Sequence, residues 1–348
     1  MPIACKTLDE AAAPAWDRFV ESQPGGTFFH RAAWAEVIHR AFGHEPYHVY
    51  AERDGAITGV LPLVYVRSVL FGKALVSSPF CVYGGPLAAD RESMAALVDH
   101  ATTLQTRLGL KVTEFRFLHP PADPLPGDGW ATRDDLYATF RRPISADDEA
   151  NMKAIPRKQR AMVRKGIERG LRSVAGQDVD GLHRIYAESV HNLGTPVFSR
   201  SYFRILAEAF RDRMDVVAVL DGDTAVSAVL NFYDRDEVLP YYGGGTAAAR
   251  AVAGNDFMYW EVMRRATARG CRLYDFGRSK VGTGAFSFKK NWGFAPEPLR
   301  YQFHLTQGVS IPDRNPLSPK YRRLVEAWKR LPRPVANTLG PLIVRGVG

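Results

Sequence analysis

Apolar and polar positions follow one another along this chain in an order that occurs twice. In the first half, Glu21-Ser22 is followed by Thr27, Trp34 and Phe42; in the second, Glu188-Ser189 is followed by Thr195, Tyr202 and Phe210. An apolar strand then ends in a turn, at Tyr50-Ala51-Glu52-Arg53-Asp54-Gly55 and again at Val219-Leu220-Asp221-Gly222. Asp-Gly between apolar runs signals a hairpin, because Gly takes positive φ without steric cost. Ile57 to Val66 and Ala225 to Tyr233 read as the return strands. A third strand in each half is expected to end at Tyr83-Gly84-Gly85 and Tyr242-Gly243-Gly244. Helices over about 91–108 and 255–269 follow, with Leu108-Gly109 and Arg269-Gly270 as C-caps. The closing strands are Lys111 to Arg116 and Arg272 to Arg278. Each half therefore predicts helices, hairpin, strand, helix, strand: a mixed sheet with helices on its faces, built in tandem.

This pattern predicts an α/β protein of mixed sheets, with domains at 1–140 and 176–308, a basic helical linker at 141–175 and a basic, Pro-rich tail at 309–348. A chain of 348 residues accommodates two such domains. The 46% hydrophobic and 24% charged content excludes wholesale disorder. No apolar run is long enough to cross a membrane. The first thirty residues hold Asp9, Glu10, Asp17 and Glu21 and no apolar signal core. Cys5, Cys81 and Cys271 are too few and too scattered for a disulfide framework or a cysteine zinc site, so the expected compartment is the cytoplasm.

The net charge of +9 is concentrated. Residues 151–175 carry eight Lys and Arg against Glu168, and 309–348 carry eight against Asp313 and Glu326. Such segments attract polyanions (nucleic acid, nucleotide-linked sugars, an anionic membrane) or are solvated helix faces. Nothing resembles a helix-turn-helix, zinc finger or RNP motif, so sequence-specific nucleic-acid binding is not expected.

Candidate chemistry gathers in two stretches. In 275–294, Gly277, Gly282 and Gly284 allow a ligand close to the backbone, and Arg278, Lys280, Lys289 and Lys290 supply charge beyond a strand end. Lys289 is expected to face solvent. In 241–256, Gly254 and Asn255 stand where a helix N-terminus offers an anion site, with Arg250 nearby; alternatively Asn255 or Asp256 caps that helix. G-x-S-x-G, H-E-x-x-H and metal-ligand spacing among the nine His are all absent. No metal is expected. Tyr242 and Asp275 are candidates for proton handling or structure; Lys289 and Arg278 are candidates as electrostatic stabilisers or phosphate clamps.

Tyr242-Gly243-Gly244, Tyr274-Asp275-Phe276-Gly277 and Phe288-Lys289-Lys290-Asn291-Trp292-Gly293-Phe294, in this order, resemble the closing motifs of the Fem family of aminoacyl and peptidyl transferases. Tyr83-Gly84-Gly85-Pro86-Leu87 resembles the first-domain counterpart, and the likeness covers about 15–305. It implies two tandem GNAT-like acyltransferase domains. Asn192-Leu193-Gly194-Thr195-Pro196, Gly277-Arg278-Ser279-Lys280 and Trp328-Lys329-Arg330-Leu331-Pro332 are similar to Fem-type proteins found beside exosortase (PEP-CTERM) and exopolysaccharide genes. The segment 151–175 is shorter than the helical arm of many tRNA-dependent members.

The resemblance implies transfer of an acyl or aminoacyl group onto an amine or hydroxyl of a glycan or cell-envelope precursor. No tightly bound cofactor is implied; acyl-CoA, acyl carrier protein or aminoacyl-tRNA would be the cosubstrate. Lys289, Arg278, Tyr242 and Asp275 would serve catalysis. Tyr83, Arg250, Gly254, Asn255, Lys280, Phe288, Lys290 and Trp292 would serve binding. The alternative is a catalytically inactive, polyanion-binding accessory protein of polysaccharide assembly. In the tail, Tyr321, Leu324, Val325 and Trp328 share a helix face, which either docks on the protein's own body or lies peripherally on an anionic membrane.

Overall fold

A computed structural model describes residues 2–68, 72–121, 123–312 and 319–346, with the backbone alone for 319–322. The chain forms two units: 1–136 with 298–314 and 345–348, and 137–297 with 315–344.

The first unit runs β1 (Ala4–Thr7), α1 (Ala13–Ser22), α2 (Trp34–Phe42), β2 (Glu45–Pro46), β3 (Val49–Arg53), β4 (Ala56–Leu61), β5 (Leu63–Ser68), β6 (Gly72–Ser77), β7 (Leu87–Ala88), α3 (Arg91–Arg107), β8 (Val112–Arg116) and β9 (Trp130–Arg133). The strand Tyr301–Leu305 returns late in the chain to pair with both β8 and β9. Two sheets result, one ordered β1-β3-β4-β7 and one in which β2, β5, β6, β8, the returning strand and β9 lie side by side. The β3–β4 hairpin turns where expected, with Asp54 at φ 53° and Gly55 at φ 77°. The expected return strand breaks at Pro62, which lacks the N–H a continuous ladder needs, so β4 serves one sheet and β5 the other. α3 starts at Asp90, whose carboxylate accepts from the Ser93 N–H at 2.8 Å. It carries the chain from β6 to the parallel strand β8. Leu61, Leu63, Leu75, Leu97, Ala101 and Phe115 fill the core between them.

In the second unit the order is β10 (Tyr137–Thr139), β11 (Arg141–Pro143), α4 (Asp148–Ala154), α5 (Arg157–Glu168), β12 (Arg172–Gly176), α6 (Val179–Asn192), α7 (Arg200–Ala209), β13 (Met214–Asp221), β14 (Thr224–Asp234), β15 (Glu237–Gly245), α8 (Ala247–Ala251), α9 (Gly254–Ala268), β16 (Leu273–Asp275), β17 (Ser279–Lys280), α10 (Gly284–Asn291) and β18 (Glu297–Pro298). The returning strand described above is β19, and α11 (Pro319–Lys329) and α12 (Arg333–Val344) end the chain. The main sheet is ordered β11-β16-β15-β14-β13-β12. A small ribbon is ordered β17-β10-β18.

Three expectations change. The strand expected to end at Tyr83 stops at Ser77, and residues 78–86 form a loop with Ser78 at φ 41° and Phe80 at φ 65°. The segment read as a linker is instead part of the second unit: β11 and β12 are the two edges of its sheet, and α4 and α5 lie between them. A three-residue strand whose partner comes far later in the chain leaves no periodic signal. The tail, too, is folded, with α11 and α12 packed on α6.

Candidate functional site

Where β15 meets β16 the sheet forks. The two strands pair in parallel only at Glu237–Leu273 and Val238–Tyr274; β15 then runs on to Gly245 while β16 ends at Asp275. β15 also carries a bulge: Leu230 faces Tyr242 and Asn231 faces Pro240, which leaves Tyr241 as the extra residue. Beyond one arm of the fork lies the start of α9, beyond the other the loop 276–283 and α10.

Lys289 is the centre of the second arm. It lies on α10, whose first turn is capped by Thr283. Its Nζ donates to the carbonyls of Gly277 at 2.9 Å and Arg278 at 3.1 Å. The rings of Phe140 and Phe276 stand 5.6 and 5.7 Å away. Lys289 is thus turned inward, not to solvent as expected. Burial lowers its pKa to about 7, opposed by the charge of Asp275 and reinforced by Arg278. Near neutrality the amine therefore exists in both protonation states, and protonation adds a third N–H.

Asp275 is buried at the end of β16. One carboxylate oxygen accepts from the Gly277 N–H at 2.7 Å and the other lies 3.3 Å from Arg141 Nε. The hydrogen bond to Gly277 holds the loop's shape, and the carboxylate supplies negative charge to Lys289. Arg278 lies 4.4 Å over the Tyr137 ring, and Lys280 Nζ is 5.6 Å from that ring. A Cβ added at Gly277, Gly282 or Gly284 would meet nothing within 4 Å, so the space before this loop is open.

On the other arm, Ala253 turns the chain at φ 59° into α9, and no N-cap side chain closes that helix. Gly254 and Asn255 are its first residues, and Asn255 Oδ1 is buried without a hydrogen-bond partner. Asp256 points inward instead of capping: it accepts from Gln159 Nε2 at 2.7 Å and Trp292 Nε1 at 3.0 Å, and burial raises its pKa. The glycines of β15 serve packing, since a Cβ at Gly244 would lie 2.4 Å from Ser189 and one at Gly245 2.4 Å from Asn255.

The expected site residues are only partly brought together. Lys289, Arg278, Asp275, Lys280 and Phe288 share one arm, with Phe288 packed on Tyr259, Phe276 and Trp292. Gly254 and Asn255 occupy the other; Arg250 is exposed on α8, and Lys290 is exposed with Nζ 6.0 Å from the Phe286 ring. Tyr242 belongs elsewhere: its OH lies 2.9 Å from the Tyr202 OH, and the rings of Tyr186, Phe198 and Phe203 enclose it under α6 and α7. Trp292 is 0% exposed and Tyr83 1%, so both are core rings and not ligand contacts here. Among residues that sequence reasoning missed are Tyr137, Phe140 and Arg141. Tyr137 and Phe140 fall at the end of the expected first domain and Arg141 at the start of the expected linker, and only the pairing of β10 with β17 and of β11 with β16 brings them to the site.

α5 adds a charged surface. Arg157, Lys158, Arg160, Arg164 and Lys165 make no ion pair among the described residues, whereas Arg169, Arg204, Arg264 and Arg272 each pair with an aspartate. A groove of about 500 Å³ is lined by Arg157, Arg160, Ala161, Arg164 and Glu168. Gln159 of the same helix ties this surface to α9 through Asp256. Among the described residues no group of three or more His, Cys, Asp or Glu could hold a metal ion.

The mixed α/β fold is that of tandem GNAT-fold proteins. The acetyltransferase (GNAT) domain family matches residues 153–290. A crystal structure of FemX is similar over 94% of this chain and 100% of its own, at 16% identity and a TM-score of 0.67. The C-terminal domain of a putative lysylphosphatidylglycerol synthetase from Agrobacterium fabrum is 13% identical, over 85% of this chain and 92% of its own, with a TM-score of 0.55. A tandem GNAT protein from the clavulanic acid biosynthesis pathway is 13% identical, over 89% and 100%, with a TM-score of 0.53. No curated protein matches the sequence.

Proposed function

We propose that this protein transfers an acyl or aminoacyl group from an activated donor to an amine or hydroxyl of a glycan or cell-envelope precursor. We place it in the cytoplasm, in an exopolysaccharide or exosortase-linked system. The observation that carries the reading is the inward-turned Lys289, held between two carbonyls beside the open loop at the β15–β16 fork. The acceptor's N or O attacks the donor's carbonyl carbon. A new C–N or C–O bond forms, the thioester C–S or ester C–O bond breaks, the acceptor loses a proton, and the carrier leaves as thiol or alcohol. Such chemistry needs positioning and oxyanion stabilisation more than a protein nucleophile. In its ammonium form Lys289 supplies positive charge to the oxyanion. An anionic donor bound beside it favours that form and so raises its pKa again. Arg278 and the start of α9 suit the donor's phosphates, as do the unpaired cations of α5. Acyl-CoA, acyl carrier protein and aminoacyl-tRNA all present such anions.

The test is native mass spectrometry and thermal shift against those donors and UDP-sugars, followed by transfer assays. A donor at 100 times its Kd stabilises the fold by about 2.7 kcal/mol. If none binds, or if Lys289→Met transfers at the wild-type rate, the reading fails. The unneutralised cations of α5 favour one second reading, an inactive polyanion-binding accessory protein. Polyanion binding without transfer by any donor would support it.

A further inference from the structure

The tail has two faces, and only one of them is used. On α12, Ala336, Gly340 and Val344 are buried. A Cβ at Gly340 would lie 2.9 Å from the Val197 backbone nitrogen, so the helix is seated closely. His191 Nε2 donates to the Leu331 carbonyl at 3.0 Å, and Arg333 pairs with Glu188 of α6. On α11, Trp328 is buried and Val325 rests on Gly194. Of the two alternatives for the Tyr321, Leu324, Val325 and Trp328 face, docking on the body holds at Val325 and Trp328; the Tyr321 side chain lies outside the described residues.

On α12 the opposite side is apolar as well, whereas on α11 it carries Arg323, Glu326 and Arg330. Val335, Leu339 and Leu342 recur at helical spacing on the outer side of α12 and are 42%, 41% and 69% exposed. Leu324, at the exposed flank of α11 beside Trp328, is 63% exposed, and Leu193, next to the seat of α11, is 69% exposed. These are five of the eight exposed large hydrophobic side chains among the described residues, so the concentration is not the usual scatter of surface leucines. Arg323 and Arg330, both exposed, stand on the outer side of α11. Glu326 is the one acid in α11 and α12, and it pairs with Lys329. Among the described residues no helix is long and apolar enough to cross a membrane.

We infer that the outer side of α11 and α12, with Leu193, docks on the surface of an anionic lipid bilayer. Leucines and a valine enter the boundary between headgroups and acyl chains while the arginines stay at headgroup level, the arrangement of an interfacial amphipathic helix. The fit is one of charge and shape together: apolar side chains of α12 beside the arginines of α11 match a surface that is apolar below and negative above. The inference deepens the envelope-side reading above, but its test measures binding and not transfer, so either can fail alone.

Full-length protein is floated with phosphatidylcholine vesicles and with vesicles that also contain phosphatidylglycerol. The wild type is expected to float with the anionic vesicles at low salt and to be released as salt rises. Leu339→Glu/Leu342→Glu, at exposed positions, should keep the wild-type melting temperature and lose vesicle binding at least tenfold. Arg323→Glu/Arg330→Glu should lose binding to anionic vesicles by a similar factor. Absence of wild-type flotation at low salt, or wild-type binding by the leucine variant, would overturn the inference. So would concentration-dependent self-association abolished by the same leucine substitutions, which would make this side an interface between copies.

Discussion

The parallel pair β6 and β8 in the first unit and the parallel pair β15 and β16 in the second begin alike and end differently. The first pair is joined through α3, the second through α8 and α9, and both sit inside a mixed sheet. In the second unit, β15 runs on into a helix start without a side-chain cap, and glycines 277, 282 and 284 border open space. In the first, β6 stops early and the following loop is packed shut. A Cβ at Gly84 would sit 2.0 Å from Ser78 Oγ, and one at Gly85 2.9 Å from the Phe117 ring. The loop's carbonyls turn inward: Cys81 accepts from Arg116, Val82 from the Tyr301 OH and Gly85 from His30. Ser78 keeps its left-handed conformation with its N–H donating to the Pro62 carbonyl at 2.8 Å and its hydroxyl to the Phe29 carbonyl at 2.9 Å. One topology thus yields an open end with a tuned lysine and a sealed end whose polar groups are satisfied internally.

The largest expected effect tests the open end. Lys289→Met should lower transfer by about 10²–10³-fold, as for loss of one oxyanion stabiliser. The melting temperature should stay close to that of the wild type, because the methionine keeps the contacts with Phe140 and Phe276. A variant that unfolds would instead assign Lys289 to structure.

The sealed end should answer in stability alone. Tyr83→Ala removes a buried ring packed on Phe29 and is expected to cost about 3–4 kcal/mol in denaturant unfolding. Donor affinity should remain unchanged. A donor-binding defect with unchanged stability would break the division between the two ends.

Acid sharpens the same contrast. In the first unit His48 is buried against Trp16, its Nε2 has no partner, and burial lowers its pKa to about 4. The unfolded chain, with an ordinary His pKa of about 6.5, binds the proton first. Stability from this group is therefore complete above about pH 6.5 and is lost as pH falls toward 4, by at most about 3 kcal/mol. His48→Phe should flatten the acid limb of melting temperature against pH; an unaltered limb would exclude His48 as its source.

The smallest effect belongs to Lys289 again. Its pKa of about 7 is the value without donor, so donor affinity that depends on the ammonium should be pH-independent below 7. Above that it should fall by up to tenfold per pH unit. Calorimetry in buffers of different ionisation heat should show proton uptake on binding at pH 8. Affinity that rises with pH would point to the neutral amine as the working form.

What the sequence determined by itself was local. The Asp54-Gly55 turn, the helices around 91–108 and 255–269, and the clustering of glycines and cations after Asp275 all rest on propensities and spacing within a few residues. What only the tertiary structure decided was which chemically suitable residues meet. Tyr242 and Lys289 are both catalytic candidates in the sequence, yet one is enclosed by rings under α6 and α7 and the other is held by loop carbonyls beside Phe276. Arg141 reaches Asp275 only because β11, a strand too short to show a period, pairs with β16. The lysine's pKa is likewise a tertiary property, since it comes from desolvation by Phe140 and its neighbours rather than from the residues beside it in sequence. The reason is physical: backbone preferences act over a few residues, whereas burial and charge coupling act through space between segments the chain order keeps far apart.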